Sequence, residues 1–235
     1  MIVLDKKVIL FIHGIAGHPN QFRMLTGSVP VGTEMCVMLL KGHGGSVDDF
    51  SRATMEDWQN QVDEAIERLK KEFDEIYVAA HSMGTLFALQ RADRPEIKKL
   101  FLLAVPLKVR FKPLPFFSKT KNMLSAVLQK NGADFDPCYG IEADLRFWKY
   151  LGWIPNYLSL LREIKKTREM VRNGMKLNKK CTVFQSLKDE MVHPVSFEYL
   201  QETDAEVTML ENSTHYEYGA EDLEKIKTAF KLWLG

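Results

Sequence analysis

Three residues of the kinds that carry out acyl transfer follow one another along the chain: Ser82, Asp189 and His215. A serine hydroxyl is a weak nucleophile at neutral pH. It acts when an imidazole takes its proton and a carboxylate holds that imidazole in the right tautomer. Ser82 stands in A-H-S-M-G, with Ala80 two residues before it and Gly84 two residues after. Small residues at those places suit a tight strand-to-helix turn that raises the hydroxyl above a sheet, here with alanine where glycine is usual. Asp189 stands in S-L-K-D-E-M-V-H-P and His215 in N-S-T-H-Y-E. The order serine, acid, histidine is the one such a turn implies. A tetrahedral intermediate also needs donors for its oxyanion, each worth about 2.7–4 kcal/mol. The amide of Met83, directly after the serine, is one candidate. The amide of Ile15 is the other, because Gly14 lets the backbone come close.

Rivals exist for each role. Glu190 neighbours Asp189, and His193 lies four residues beyond it. The place of Asp189 just past a strand favours it as the acid, and His193, opening a helix before Pro194, is expected to be structural. Asp134 and Asp136 become candidates only if their segment folds deeply inward. Strand alternation points His81 away from Ser82, so packing or a supporting hydrogen bond is expected of it. His13 is expected to shape the oxyanion loop and His43 to hold a turn. The six histidines and three cysteines show no zinc spacing, so no metal is expected. Gly42-His43-Gly44-Gly45 does not match a phosphate-binding fingerprint, which would need glycine at Val47. No cofactor is expected.

These residues need a scaffold that brings distant segments together. Short apolar runs read as strands at 8–12, 35–40, 76–80, 100–105, 181–187 and 206–210, the first two as strands buried in a parallel sheet. Helical patterns fall between them: a short one at 19–25, then 54–73, 84–92, 167–177, 195–202 and 220–234. The helix over 54–73 has Thr54 as its cap, with Met55, Trp58, Val62, Ala65, Ile66 and Leu69 on one face. Repeated βα units imply an α/β fold, a mostly parallel sheet with helices on both faces. The alternation breaks at Pro106 and returns near residue 167, with helical segments expected at 118–129 and 141–150. The core is therefore assigned to residues 1–105 and 167–235, and 106–166 to an insertion.

The chain has 235 residues and a net charge of +1, with 46% hydrophobic and 27% charged residues. That fits a folded globular protein and gives no general basic field for nucleic acid. Cys36, Cys138 and Cys181 are odd in number and widely spaced, which argues against a disulfide framework. No apolar run reaches the roughly 20 residues of a membrane span, and no signal peptide is visible. A reducing cytoplasm is the expected location.

The motifs F-I-H-G-I-A-G, L-L-K-G-H-G-G, V-A-A-H-S-M-G-T-L-F-A-L, S-L-K-D-E-M-V-H-P and N-S-T-H-Y-E, spread over residues 8–218, resemble the α/β-hydrolase superfamily. More narrowly, they resemble small bacterial carboxylesterases and monoacylglycerol lipases. The resemblance implies Ser82 as nucleophile, Asp189 as acid, His215 as base, and the Ile15 and Met83 amides as oxyanion hole. It also implies that residues 106–166 form a cap. Two departures are Ala80 and Lys41, where many relatives carry glycine and proline. Residues 106–166 hold 10 of the 25 aromatics and 11 Lys or Arg against 5 Asp or Glu. The rings suit an apolar substrate pocket or packing of the cap onto the body, and the basic excess suits a solvated face or transient contact with an anionic membrane surface. The implied reaction is hydrolysis of a small carboxylic ester with a short to medium acyl chain, monoacylglycerols included. A thioesterase, a peptidase or a non-catalytic ligand-binding protein on the same fold stays open. Oligomeric state is not legible.

Overall fold

The computed structural model describes residues 6–110, 140–142, 144–177 and 180–235. The helix expected at 118–129, together with Asp134, Asp136 and Cys138, lies outside the described residues. Six strands form one parallel sheet in the order β2-β1-β3-β4-β5-β6. They are β1 (Lys7–Ile12), β2 (Glu34–Val37), β3 (Glu75–His81), β4 (Ile97–Leu103), β5 (Lys180–Ser186) and β6 (Glu206–Leu210). The helices between them are α1 (Arg23–Thr26), α2 (Val47–Arg52), α3 (Met55–Leu69), α4 (Met83–Leu89), α5 (Ile154–Arg172), α6 (Val195–Gln201) and α7 (Ala220–Leu234).

Successive residues of a strand face opposite sides of the sheet, and β1 shows what that does here. Val8, Leu10 and Ile12 pack into a core with Trp58, Val62 and Ile66 of α3 and with Leu86 of α4. Ile9 and Phe11 face the other core, made with Leu25 of α1 and with Ile226, Phe230 and Trp233 of α7. The helix α3 begins where its sequence predicts. Thr54 Oγ1 accepts the Asp57 amide, while Asp57 Oδ2 accepts the Thr54 amide, so two otherwise idle donors are satisfied. The same reciprocal pair, Ser46 with Asp49, starts α2, a helix too short and polar for periodicity to reveal.

Three expectations change. The second apolar run is not a buried strand: β2 is an edge strand, and Met35, Val37 and Leu39 on its outer face are exposed. Composition alone does not tell a covered strand from an uncovered one. Among the described residues, the segment 141–150 is helical only at its end, where a 3-10 helix begins at Phe147. Ile141 pairs with Gly45 as an isolated bridge, and the 3-10 helix runs to Trp153. The helix placed at 167–177 starts 13 residues earlier, at Ile154, with Pro155 in its first turn, where proline is tolerated. The 166/167 boundary of the sequence reading thus falls inside one continuous helix. Its buried face is Asn156, Leu160, Ile164, Thr167 and Val171. Two polar residues interrupt the apolar stripe, which hid the helix.

Candidate active site

The order of strands reverses between β1 and β3, so a crevice opens at their carboxyl ends. β3 delivers Ser82 there. The serine sits at φ 51° and ψ −122°, a strained conformation that costs roughly 1–3 kcal/mol. The turn closes because α4 starts at Met83 with no connecting loop. Close approach sets the neighbours. A Cβ on Gly84 would strike the backbone carbonyls of Ile12 and His13, and one on Gly14 would lie 2.8 Å from Ser82 Cβ. Ala80 is fully buried in β3, in register with Ile12 and Leu102, so its methyl is accommodated.

Asp189 follows β5 and His215 follows β6. The structure brings both to Ser82. His215 Nε2 lies 3.0 Å from Ser82 Oγ, and His215 Nδ1 lies 2.7 Å from Asp189 Oδ2. These partners assign the tautomer: Nδ1–H donates to the carboxylate, leaving Nε2 to accept the hydroxyl proton. Asp189 Oδ1 accepts the amides of Met191 and Val192, each at 2.7 Å. Burial opposes its ionisation, but the hydrogen bond from His215 and those two amides outweigh it and hold its pKa below the ordinary carboxylate value. Asp189 and His215 are 1% exposed and Ser82 is 6% exposed, so the relay sits largely out of water.

The loop after β1 carries Gly14 and Ile15. Among the described residues, no acceptor engages the amide of Ile15 or of Met83. Two histidines shape this loop. His13 Nδ1 donates to the Gly14 carbonyl, and its Nε2 accepts the Leu40 amide. His43 Nε2 accepts the Ala16 amide, and its Nδ1 faces the Leu40 and Lys41 carbonyls. Both acceptor roles need neutral rings. Burial, reinforced by His43, pushes the pKa of His13 well down, and burial lowers that of His43 to about 4. Lys41 uses what proline lacks: its amide donates to Gln61, and its ammonium pairs with Asp57 at 2.6 Å.

The rivals lie elsewhere. His193 Nδ1 accepts the Val195 amide at the start of α6. Glu190 Oε2 accepts the backbone amide of His215 rather than its ring. His81 Nε2 lies 2.9 Å from the His215 carbonyl. Strand alternation kept His81 off Ser82 but did not reveal this bond. Among the described residues no group of three or more His, Cys, Asp or Glu is placed to hold a metal ion. A groove of about 770 Å³ between α3, α4 and α5, lined by Gln59, Asp63, Arg91, Arg162 and Glu163 among others, contains none of Ser82, Asp189 and His215.

Known proteins are similar to this chain in sequence and in fold. A thermostable monoacylglycerol lipase from Bacillus sp. (strain H-257) is 35% identical over 91 residues, 38% of this chain. The match spans 36% of that relative's own length. Two solved structures share the fold at 17% identity. One belongs to the metagenome-derived lipolytic enzymes LipS and LipT, with a TM-score of 0.69 over 97% of this chain and 94% of the other. The second is a monoglyceride lipase from Saccharomyces cerevisiae, with a TM-score of 0.65 over 98% and 86%. The Hydrolase_4 family model, described as serine aminopeptidase, S33, matches residues 5–146. With more than half of its length matched by that model, on this sheet and this topology, the chain is an α/β-hydrolase and belongs to the Hydrolase_4 family.

Proposed function

We propose that the protein is a serine hydrolase that cleaves carboxylic esters with short to medium acyl chains, monoacylglycerols included. The observation that carries this reading is the relay from Ser82 Oγ through His215 to Asp189, at 3.0 and 2.7 Å. Ser82 Oγ attacks the ester carbonyl as His215 Nε2 takes its proton. The amides of Ile15 and Met83 hold the oxyanion. His215 then protonates the leaving alcohol, and an acyl-Ser82 ester remains. Water, deprotonated by His215, attacks that ester and releases the acid. Asp189 keeps the imidazole oriented and stabilises its cation throughout.

The lipase names of the relatives support an ester with an apolar acyl group. Residues 106–166 are assigned to a cap over a core of 1–105 and 167–235. The described part of that cap exposes Leu145, Phe147, Trp148, Leu151, Leu158 and Leu161, an apolar face suited to transient contact with a lipid surface. Free Cys36 and Cys181 fit a reducing cytoplasm. The description of the matched family keeps one second reading alive, an aminopeptidase on the same triad.

The test is a panel of p-nitrophenyl esters of rising chain length, monoacylglycerols, thioesters and aminoacyl anilides, run on the wild type and Ser82→Ala. The expected outcome is a maximum of kcat/KM at short to medium acyl esters, monoacylglycerol turnover, and loss on the order of 10⁴-fold or more in the variant. Preference for anilides would transfer the assignment to peptidase. Ligand binding with no turnover of any substrate would leave a non-catalytic binding protein.

A further inference from the structure

His215 lies in the connection between β6 and α7, residues 211–219. Such a segment has no ladder to hold a ring in place, yet the ring must stay between two partners at 3.0 and 2.7 Å. The ties around it are specific. Asp222 accepts the Asn212 amide and the Ser213 hydroxyl upstream. Thr214 and Glu217 close a turn across the histidine. The two polar groups of His215's own backbone go to side chains from other elements. Its N–H donates to Glu190 Oε2 at 3.2 Å, and its carbonyl accepts from His81 Nε2 at 2.9 Å.

We propose that His81 and Glu190 are positioning residues that grip the backbone of His215 from both sides and fix its imidazole between Ser82 and Asp189. The proposal rests on the triad reading above and adds two residues to it.

The geometry of His81 suits that task. It ends β3 directly before Ser82, so the element that fixes the serine also fixes the base. Its ring meets that of His215 at 4.9 Å and 61°, and that of Tyr216 at 5.3 Å. To donate from Nε2, a neutral His81 must be the Nε2–H tautomer, with Nδ1 bare. That Nδ1 is buried and has no hydrogen-bond partner among the described residues, so no acceptor there would stabilise a second proton on the ring. Burial, then the proximity of His215, lowers the pKa of His81 to about 3. Of two touching imidazoles, one is thereby kept uncharged while its neighbour takes and returns a proton, and no second cation opposes the imidazolium. Glu190 adds a carboxylate on the other side, at the amide. It stands next to Asp189 in sequence, so the loop after β5 supplies both the acid for the ring and the acceptor for the backbone.

The test compares His81→Phe, which keeps a ring but removes the donor, with His81→Gln, whose amide nitrogen reaches a similar point. Glu190→Ala and Glu190→Gln do the same for the second contact. The first readout is kcat and KM on p-nitrophenyl butyrate. A misplaced base affects chemistry more than binding, so H81F is expected to lower kcat about 10–100-fold with KM within about twofold. H81Q should recover to within about threefold of wild type, since a neutral hydrogen bond is worth about 1 kcal/mol. E190Q should likewise exceed E190A. The second readout does not need turnover: the downfield proton resonance of His215 Nδ1–H, assigned by its loss in His215→Ala. It should broaden or vanish in H81F and persist in H81Q. If H81F does not fold, His81→Asn, whose amide stops short of the carbonyl, replaces it. Equal kcat and equal resonances in the donor-keeping and donor-lacking variants would overturn the proposal. Ser82→Ala runs alongside. If it keeps wild-type turnover, the nucleophile assignment fails, while the resonance contrast still decides the grip on His215.

Discussion

At the scale of single residues, the site depends on histidines that differ in what burial asks of them. Under the proposed function, His215 must exchange a proton. His13 and His43 each accept a backbone amide, which needs an uncharged ring. His81 only donates, and burial is what keeps it uncharged. All three are buried. Their pKa values are depressed by desolvation first, to about 4 for His43 and about 3 for His81. The unfolded chain takes up protons on these rings near pH 6.5, well before the native state does. Stability from this source is therefore complete above about pH 6.5 and is lost as pH falls towards 3, with His43 alone worth about 3 kcal/mol. Thermal unfolding followed by circular dichroism should show Tm dropping steadily from pH 7 to pH 4, and His43→Gln should flatten that slope. A Tm that stays level over the interval would show that these rings are not held neutral. The convergence of Ser82, Asp189 and His215 could be anticipated because each lies shortly after a strand, Ser82 directly after β3, Asp189 in the loop after β5 and His215 in the connection after β6. The acceptor roles of His13 and His43 could not, since they depend on the amides of Leu40 and Ala16 from separate loops. Glu190 and Asp189 are both carboxylates at the same strand end, and only coordinates tell which one meets the ring.

At the scale of elements, the expected ends held best for three strands and for α7, whose bounds are Ala220–Leu234 as read. β1, β3 and β6 carry runs whose ends fall within a residue of the expected ones. Burial on both faces made β1 and β3 visible, whereas β6 is an edge strand with Glu206 and Thr208 exposed and Val207 and Met209 half-buried. α5 was half missed because Asn156 and Thr167 stand on its buried face. They are there for hydrogen bonds. Asn156 Nδ2 donates to the Phe50 carbonyl of α2, and Thr167 Oγ1 accepts from Gln90 at the end of α4. Trp153, just before α5, adds a bond to the Val47 carbonyl and an edge contact with Phe50 at 4.8 Å. Removing Asn156 leaves a buried carbonyl without its donor, so Asn156→Ala should cost about 1–3 kcal/mol. Leu158→Ala, on the exposed face of the same helix, should stay within about 0.5 kcal/mol. Urea unfolding of the two variants measures both. Equal losses would mean that α5 is not docked through its polar face.

At the scale of the whole molecule, one topological fact organises the site. A parallel sheet turns every strand's carboxyl end to the same edge, so loops after β1, β3, β5 and β6 meet there despite separations of more than 130 residues between Ser82 and His215. Alternating strand and helix patterns made this architecture readable, whereas the covering of its edges was not. β2 keeps an apolar outer face, and no pattern within the chain announces that. The residues after β4 are stitched to the same rim: the Arg110 amide donates to the Met191 carbonyl, and the Gly140 amide donates to the Ala16 carbonyl. Under the proposed function, these loops converge on one activated hydroxyl, that of Ser82. The most direct test is labelling of the full chain with a fluorophosphonate, followed by mass spectrometry of the modified peptide. The phosphonyl group is expected on Ser82 alone, with labelling abolished in Ser82→Ala and strongly slowed in His215→Ala. An adduct on another residue, or no adduct in protein that still turns over esters, would contradict the assignment of Ser82 as the nucleophile.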